Sequence, residues 1–274
     1  MSIRRALAQA DLAPIDAQVL LAHVVQKDRA WLVAHADDLL STDQADVFLG
    51  LTRRRRSGEP IAYLTGVREF WGLPLRVSPA VLIPRHETET LVEVALGHLA
   101  AKTRARVLDF GTGSGAVALA IARERPHAHV VAADISRAAL DVARHNARRL
   151  RIANVKFVQS DWYAGLGEDS DERFAAIVSN PPYVAATDAH LDEGDLRYEP
   201  PLALSAGVDG LASIRQIVAG AGERLAPGGL LAFEHGYDQA ETVQALLRSA
   251  GFEVIATARD LAGLPRVTSG RRPS

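Results

Sequence analysis

Through the first part of the chain, apolar side chains recur at helical spacing. Leu7, Leu12, Val19, Leu20, Leu21, Val24 and Val25 are followed by Trp31, Leu32, Leu39, Leu40, Val47 and Leu51, with polar turns between and no β-type alternation. This predicts a small helical domain over residues 1–66. The texture then changes. Pro60, Gly66, Gly72, Pro74, Pro79 and Pro84 interleave with Tyr63, Phe70, Trp71, Val77 and Val81, which suits a short hairpin and linker over 67–86. After an amphipathic helix near 87–101, strand patterns at 106–110, 129–135, 155–161, 174–179 and 230–235 alternate with helix patterns at 116–124, 137–150 and 211–225. Such alternation predicts an α/β fold: a mostly parallel, Rossmann-like sheet covered by helices on both faces over 87–274. Two β-like runs, 252–258 and 265–269, close the chain with no room for a helix between them, so the last strand is expected to be antiparallel.

Composition narrows the function. With 274 residues, 48% hydrophobic and 23% charged, the chain can bury one full core with an appendage. The longest apolar runs, 116–122 and 130–133, fall short of the roughly 18 to 20 residues that cross a bilayer. Arg4 and Arg5 lead into Asp11 and Asp16 rather than into an apolar segment, unlike a secretion signal, and a cytoplasmic location is expected. The absence of cysteine excludes disulfides and thiolate chemistry, and no metal site is expected. A net charge of -2 lacks the basic footprint of a nucleic-acid-binding domain, which favours a protein or small-molecule partner. The one basic run, Arg53 to Arg56, is expected to be a solvated helix face.

Candidate chemistry sits at the ends of the predicted strands. Val107-Leu108-Asp109-Phe110 runs into Gly111-Thr112-Gly113-Ser114-Gly115 and then an Ala-rich helix. Glycines belong there because the backbone must turn sharply and a ligand must approach it closely. The same spacing fits a dinucleotide fingerprint, so a nicotinamide enzyme stays open at this point. Asp134 ends the next strand, where its carboxylate can accept from both ribose hydroxyls or, alternatively, cap the following helix. Ser160-Asp161-Trp162 ends the third. There the ring can pack against adenine and the carboxylate can accept from its amino group, or the ring can be ordinary core.

The sharpest motif is Asn180-Pro181-Pro182-Tyr183, directly after Ala175-Ala176-Ile177-Val178. Two consecutive prolines cannot continue a ladder, so the chain leaves the sheet in a stiff, extended corner. Such a corner answers a chemical problem: an amide nitrogen is a poor nucleophile because its lone pair is delocalised into the carbonyl. The side-chain oxygen of Asn180 and the Pro181 carbonyl can accept its two hydrogens, aim it at an electrophile and stabilise developing positive charge. Tyr183 can stack on the flat group.

These residues, with Gly58-Glu59-Pro60-Ile61-Ala62-Tyr63-Leu64-Thr65-Gly66, Phe70-Trp71, Leu82-Ile83-Pro84-Arg85, Glu87-Thr88-Glu89, Arg259-Asp260-Leu261 and Arg266-Val267, give the chain a marked likeness. Over nearly its whole length it resembles class I S-adenosylmethionine-dependent methyltransferases of the bacterial peptide-chain-release-factor N5-glutamine methyltransferase type (HemK/PrmC-like). The resemblance implies S-adenosylmethionine as cofactor, held by Phe110 to Gly115, Asp134, Asp161, Trp162 and Asn180. It implies a substrate clamp at Asn180, Pro181, Pro182 and Tyr183, and release factors, methylated at the glutamine of a Gly-Gly-Gln loop, as partners of the helical domain. His86 stands where that family usually has proline, and is read as a loop change rather than a catalytic histidine. Three rivals remain: a glutamine methyltransferase acting on a ribosomal protein, an adenine-N6 methyltransferase acting on DNA or RNA, and a nucleotide-binding module without catalysis. Near-neutral charge argues against the nucleic-acid substrate.

Overall fold

The computed structural model describes residues 1–101, 104–167, 173–186 and 194–274. Its internal contacts divide into two units, one holding Met1–Val67 with residues 194–198 and the other the remaining described residues from Arg68 onward.

The first unit is helical: α1 (Ile3–Gln9), α2 (Pro14–Val25), α3 (Arg29–Ala34), α4 (Thr42–Arg56) and α5 (Ile61–Thr65). Local side chains set where several of these helices begin. Ser2, Asp28 and Ser41 each accept a backbone N–H one turn on, and Gln44 reciprocates to close a capping box at α4. Leu20, Leu21, Leu32 and Phe48 are fully buried at the centre of the unit. Arg53, Arg54 and Arg56 of the basic run are exposed and Arg55 is half-buried, and three of the four make contacts within the unit. Arg54 forks onto Glu59, Arg55 bridges Asp16 at 2.8 Å and Asp195 at 2.9 Å, and Arg56 donates to the Ala10 carbonyl at the end of α1 at 2.6 Å. These contacts use the arginines to tie segments of the unit together.

From Arg68 the second unit opens within a hairpin, β1 (Val67–Phe70) and β2 (Leu73–Arg76), turned by Trp71 and Gly72, both at positive φ as a two-residue primed turn requires. A short 3-10 turn, His86–Thr88, leads into α6 (Glu89–His98). Then follow β3 (Arg106–Phe110), α7 (Ala116–Glu124), β4 (His129–Asp134), α8 (Arg137–Leu150), β5 (Val155–Gln159), β6 (Phe174–Ser179), α9 (Ala212–Arg224), β7 (Leu225–Glu234), α10 (Ala240–Ser249), β8 (Glu253–Arg259) and β9 (Pro265–Arg271). The sheet order is β5-β4-β3-β6-β7-β9-β8. It is parallel except at β9, which runs antiparallel to both of its neighbours. The mostly parallel sheet and its antiparallel last strand are as the sequence pattern predicts.

Two details differ from that pattern. β7 begins at Leu225, earlier than residue 230, because Leu225 pairs with Phe174 ahead of a register shift. The pattern also leaves out α10, whose Val243 and Leu247 are fully buried at four-residue spacing.

One core lies on each face of the sheet. Along α7, residues 116–122 are all buried, with Leu119 and Ile121 at 0% exposure; each such side chain contributes about 1.5–3 kcal/mol by leaving water. The hairpin's Phe70, Leu73 and Leu75 join the same core. Ile177, Ile214, Ile217, Leu231 and Phe233 form the other. Chain order runs outward from β3 through β4 to β5, then returns to the other side of β3 with β6. The crevice outside the carboxyl ends of β3 and β6 is therefore the switch point where open α/β sheets take ligands.

Candidate active site

Strand register brings the proposed residues together. Phe110 pairs with Ala133 and with Ser179, Asp134 with Gln159, and Ser179 with Phe233. The residues next in chain therefore stand side by side at one edge of the sheet: Gly111, Asp134, Ser160, Asn180 and Glu234. A cavity of about 340 Å³ opens there, inside the range of roughly 300–1,000 Å³ usual for small-molecule sites. Phe110, Gly111, Thr112, Gly113, Ser114, Asp134, Asp161, Trp162, Asn180 and Pro182 line it. Gly115, Pro181 and Tyr183 do not. Gly115 sits behind the loop at the start of α7, at positive φ, where a Cβ would come within 3.1 Å of Leu119 and 3.2 Å of Ala143. Pro181 is buried and Tyr183 half-buried.

The cradle is braced by the acid expected to receive the ribose. Asp134 accepts the Gly113 N–H at 2.9 Å with one oxygen and the Ser136 N–H at 2.8 Å with the other. The α8 cap belongs to Ser136, whose hydroxyl accepts from Ala139. Each carboxylate oxygen keeps a further lone pair for a ligand hydroxyl. Burial pushes the Asp134 carboxyl up, and the two backbone N–H groups oppose that shift. The Trp162 ring packs edge-on against Phe110 at 5.8 Å and also lines the cavity. The Trp162 φ of 44° puts a bulky residue in the left-handed region. The glycine backbone, a carboxylate with free lone pairs, and the apolar faces of Trp162 and Ile135 fit a nucleoside-bearing cofactor.

Asn180 closes the cavity on the side of β6, and its Nδ2 donates to the Thr88 hydroxyl at 3.1 Å. The amide atom left for a ligand is Oδ1. The Tyr183 hydroxyl donates to Glu234 Oε1 at 3.1 Å. Burial first, and the Glu234 carboxyl second, push the Tyr183 phenol up, so it stays protonated. Its backbone carbonyl accepts from Gln239 at 3.0 Å.

Sequence reasoning assigned no role to several residues here. Asp109 is buried, accepts from the Thr112 hydroxyl at 2.6 Å, and lines the cavity; an acid inside an apolar strand was its visible signal. Glu234, ending the apolar strand 230–233, carried the same signal. Thr88 had none beyond its place in a quoted motif. Glu199 is buried, accepts the Ile83 N–H at 3.2 Å and pairs with Arg85, joining the segments on either side of two cavity walls. His86 is exposed, lies 3.6 Å from Glu89 and does not line the cavity.

The sheet, its switch-point cavity and the glycine cradle define a class I methyltransferase. A solved structure of the same fold, the 16S rRNA N2 G1207 methyltransferase of T. thermophilus in complex with AdoMet and guanosine, superposes with a TM-score of 0.56 at 21% identity, covering 75% of this chain and 49% of that one. Two family models match: the PrmC N-terminal domain over residues 1–66 and the methyltransferase small domain over 87–194. The release factor glutamine methyltransferase of Xylella fastidiosa (strain 9a5c) is 52% identical over 94% of this chain and 93% of its own length. That of Burkholderia pseudomallei is 52% identical over 97% of this chain and 95% of its own. The chain belongs to the release factor glutamine methyltransferase family.

Proposed function

We propose that this chain transfers a methyl group from S-adenosylmethionine to the side-chain amide nitrogen of the glutamine in the Gly-Gly-Gln motif of peptide chain release factors. Family membership supports the reading, and the observation that carries it is Asn180. It stands on the cavity wall beside the glycine cradle with its amide nitrogen already engaged by Thr88. When bound, the cofactor supplies an electrophilic methyl on a sulfonium.

The chain's own residues do the rest. Gly111 to Ser114 let the backbone approach the cofactor, Asp134 receives its ribose hydroxyls, and Trp162 with Asp161 meets the adenine. Asn180 Oδ1 and the Pro181 carbonyl accept hydrogen bonds from the two N–H groups of the glutamine amide, turning the nitrogen to the methyl and stabilising the positive charge that develops on it until one of those protons passes to water. Pro181 and Pro182 keep those acceptors fixed, and Tyr183 supports the flat group. The helical unit is assigned to holding the release factor, residues 1–66 being the substrate-binding domain, 67–86 the hairpin linker and 87–274 the methyltransferase domain. No helix among the described residues is long and apolar enough to cross a membrane. The enzyme is assigned to the cytoplasm, where its substrate works, with no nucleic acid needed for binding.

Labelled S-adenosylmethionine and purified release factor test the reading in one assay. One methyl group per factor on the Gly-Gly-Gln glutamine, located by peptide mass mapping, is expected. Label appearing instead on a ribosomal protein or on oligonucleotides would overturn it.

A further inference from the structure

We infer that Thr88 is a positioning residue for the transfer, which accepts from Asn180 Nδ2, turns its own proton to Glu234, and thereby fixes the Asn180 amide with Oδ1 facing the substrate. The inference rests on the glutamine methyltransferase reading and deepens it at the same site.

An asparagine amide can rotate by half a turn and exchange its donor and acceptor faces. Only one face suits the reaction, because an NH₂ group turned to the substrate would oppose donor to donor. Whatever contacts Asn180 from behind therefore decides whether the corner works. That contact is Thr88, 4% exposed and yet part of the cavity wall, with its hydroxyl 3.1 Å from Asn180 Nδ2. A hydroxyl can either donate to or accept from an amide, so Thr88 selects a face only if its own proton is directed elsewhere.

Glu234 provides that direction. Its side chain is buried at the end of β7, one position beyond the Phe233 that pairs with Ser179, and so lies beside Asn180. One carboxylate oxygen receives the Tyr183 hydroxyl, and the other, Oε2, is buried with no hydrogen-bond partner among the described residues. The Thr88 hydroxyl lies near enough to favour the charged form of this carboxyl against its burial. A hydroxyl needing an acceptor thus faces a carboxylate with an unused one. Both ends of the corner, Asn180 through Thr88 and Tyr183 directly, then rest on Glu234. Thr88 closes the 3-10 turn that runs directly into α6 and has helical backbone there (φ -66°, ψ -18°), so its side chain makes no cap bond and its hydroxyl is left for the site.

The test is steady-state methyl transfer to purified release factor by wild type, Thr88→Val, Thr88→Ser and Glu234→Gln, with cofactor affinity and melting temperature measured on each. Thr88→Val keeps the shape and removes the acceptor; kcat is expected to fall by about 10-fold or more, with cofactor Kd and release-factor KM within about 3-fold of wild type. Thr88→Ser restores the hydroxyl and most of kcat. Glu234→Gln turns an NH₂ toward Thr88, reverses the chain of donors, and lowers kcat in the same way. Wild-type kcat in Thr88→Val, or a Thr88→Ser variant as impaired as Thr88→Val, overturns the inference. So does a loss confined to melting temperature and Kd. If Thr88→Val does not fold, unchanged kcat in Glu234→Gln overturns it independently. An inert wild type sinks the methyltransferase reading itself, which is a separate result.

Discussion

Asn146 donates to the Ser114 carbonyl at 2.9 Å, so a fully buried side chain of α8 holds the glycine cradle from behind. The same amide accepts the Arg76 N–H at 2.7 Å and donates to the Arg76 carbonyl at 3.0 Å, pairing with β2 as a neighbouring strand would. Asn146→Leu keeps the volume and leaves three backbone groups without partners. The Ser114 carbonyl is the buried orphan and costs about 1–3 kcal/mol, so a melting temperature lower by several degrees is expected, together with weaker S-adenosylmethionine binding. Thermal melts and calorimetry check both, and wild-type values for the pair would show that the clip is idle.

Asp134 and Asn180 line the same cavity but are assigned to different partners, and their variants should separate. Asp134→Ala removes the brace on Gly113 and the ribose acceptor, and cofactor affinity should fall by about 10-fold or more, as expected for one charge-assisted bond of about 1.5 kcal/mol. Asn180→Ala should hold cofactor affinity within a few fold while kcat drops by about 10² or more, because orientation and charge stabilisation are lost together. Titration calorimetry beside single-turnover kinetics distinguishes the two. Equal effects on both quantities would erase the division of labour.

What the sequence revealed and what it hid follow from range. The parallel sheet was legible because β3, β4 and β6 are apolar runs bounded by turn residues, and the cradle and corner because glycine and double proline impose local geometry wherever they occur. Asp134 and Trp162 were legible because a strand end in this topology has a known direction. Thr88 and Asn146 act across the fold, on Asn180 92 residues away and on Arg76 70 residues away, and no local pattern marks such a partner. The arginine run is a largely solvated face, as its pattern predicts, but the half-buried Arg55 within it pairs with Asp195, too far along the chain for any local pattern to mark. The missing α10 had no such excuse, because Val243, Leu246 and Leu247 recur at helical spacing.

Asp109 should make the enzyme's behaviour depend on pH. Burial lifts its carboxyl to about 7 from an ordinary 3.8, against hydrogen bonds from Thr112 and Ala118. The folded protein therefore keeps this proton more tightly than the unfolded chain. Its stabilising contribution is complete below about pH 4 and is lost as pH rises through about 7. Relative to Asp109→Asn, the melting temperature of the cofactor-free wild type should decline across that window. A cationic cofactor bound beside Asp109 favours its ionised form, so affinity should rise through pH 7 in wild type more steeply than in Asp109→Asn. Parallel curves for the two proteins, in melting or in binding, would remove Asp109 from the site's electrostatics.

Gly210 offers a way to move the catalytic corner without touching it. Its φ is +71°, and a Cβ built there would come within 2.2 Å of the Tyr183 carbonyl and 2.9 Å of Gln239 Nε2. That carbonyl is held by Gln239, whose Oε1 in turn receives the Gly236 N–H at 2.9 Å. Gly210→Ala must therefore displace the Tyr183 backbone or break its anchor, and the left-handed conformation adds about 1–2 kcal/mol of strain. If the stiffness of the segment from Asn180 to Tyr183 sets the aim of the substrate nitrogen, kcat should fall by about 10-fold or more. The cradle stands on β3 and β4, so cofactor affinity should change by less than about 3-fold. Steady-state kinetics alongside cofactor titration reads both. A Gly210→Ala enzyme with full kcat would mean that the corner tolerates displacement, and that its rigidity is not what makes the amide react.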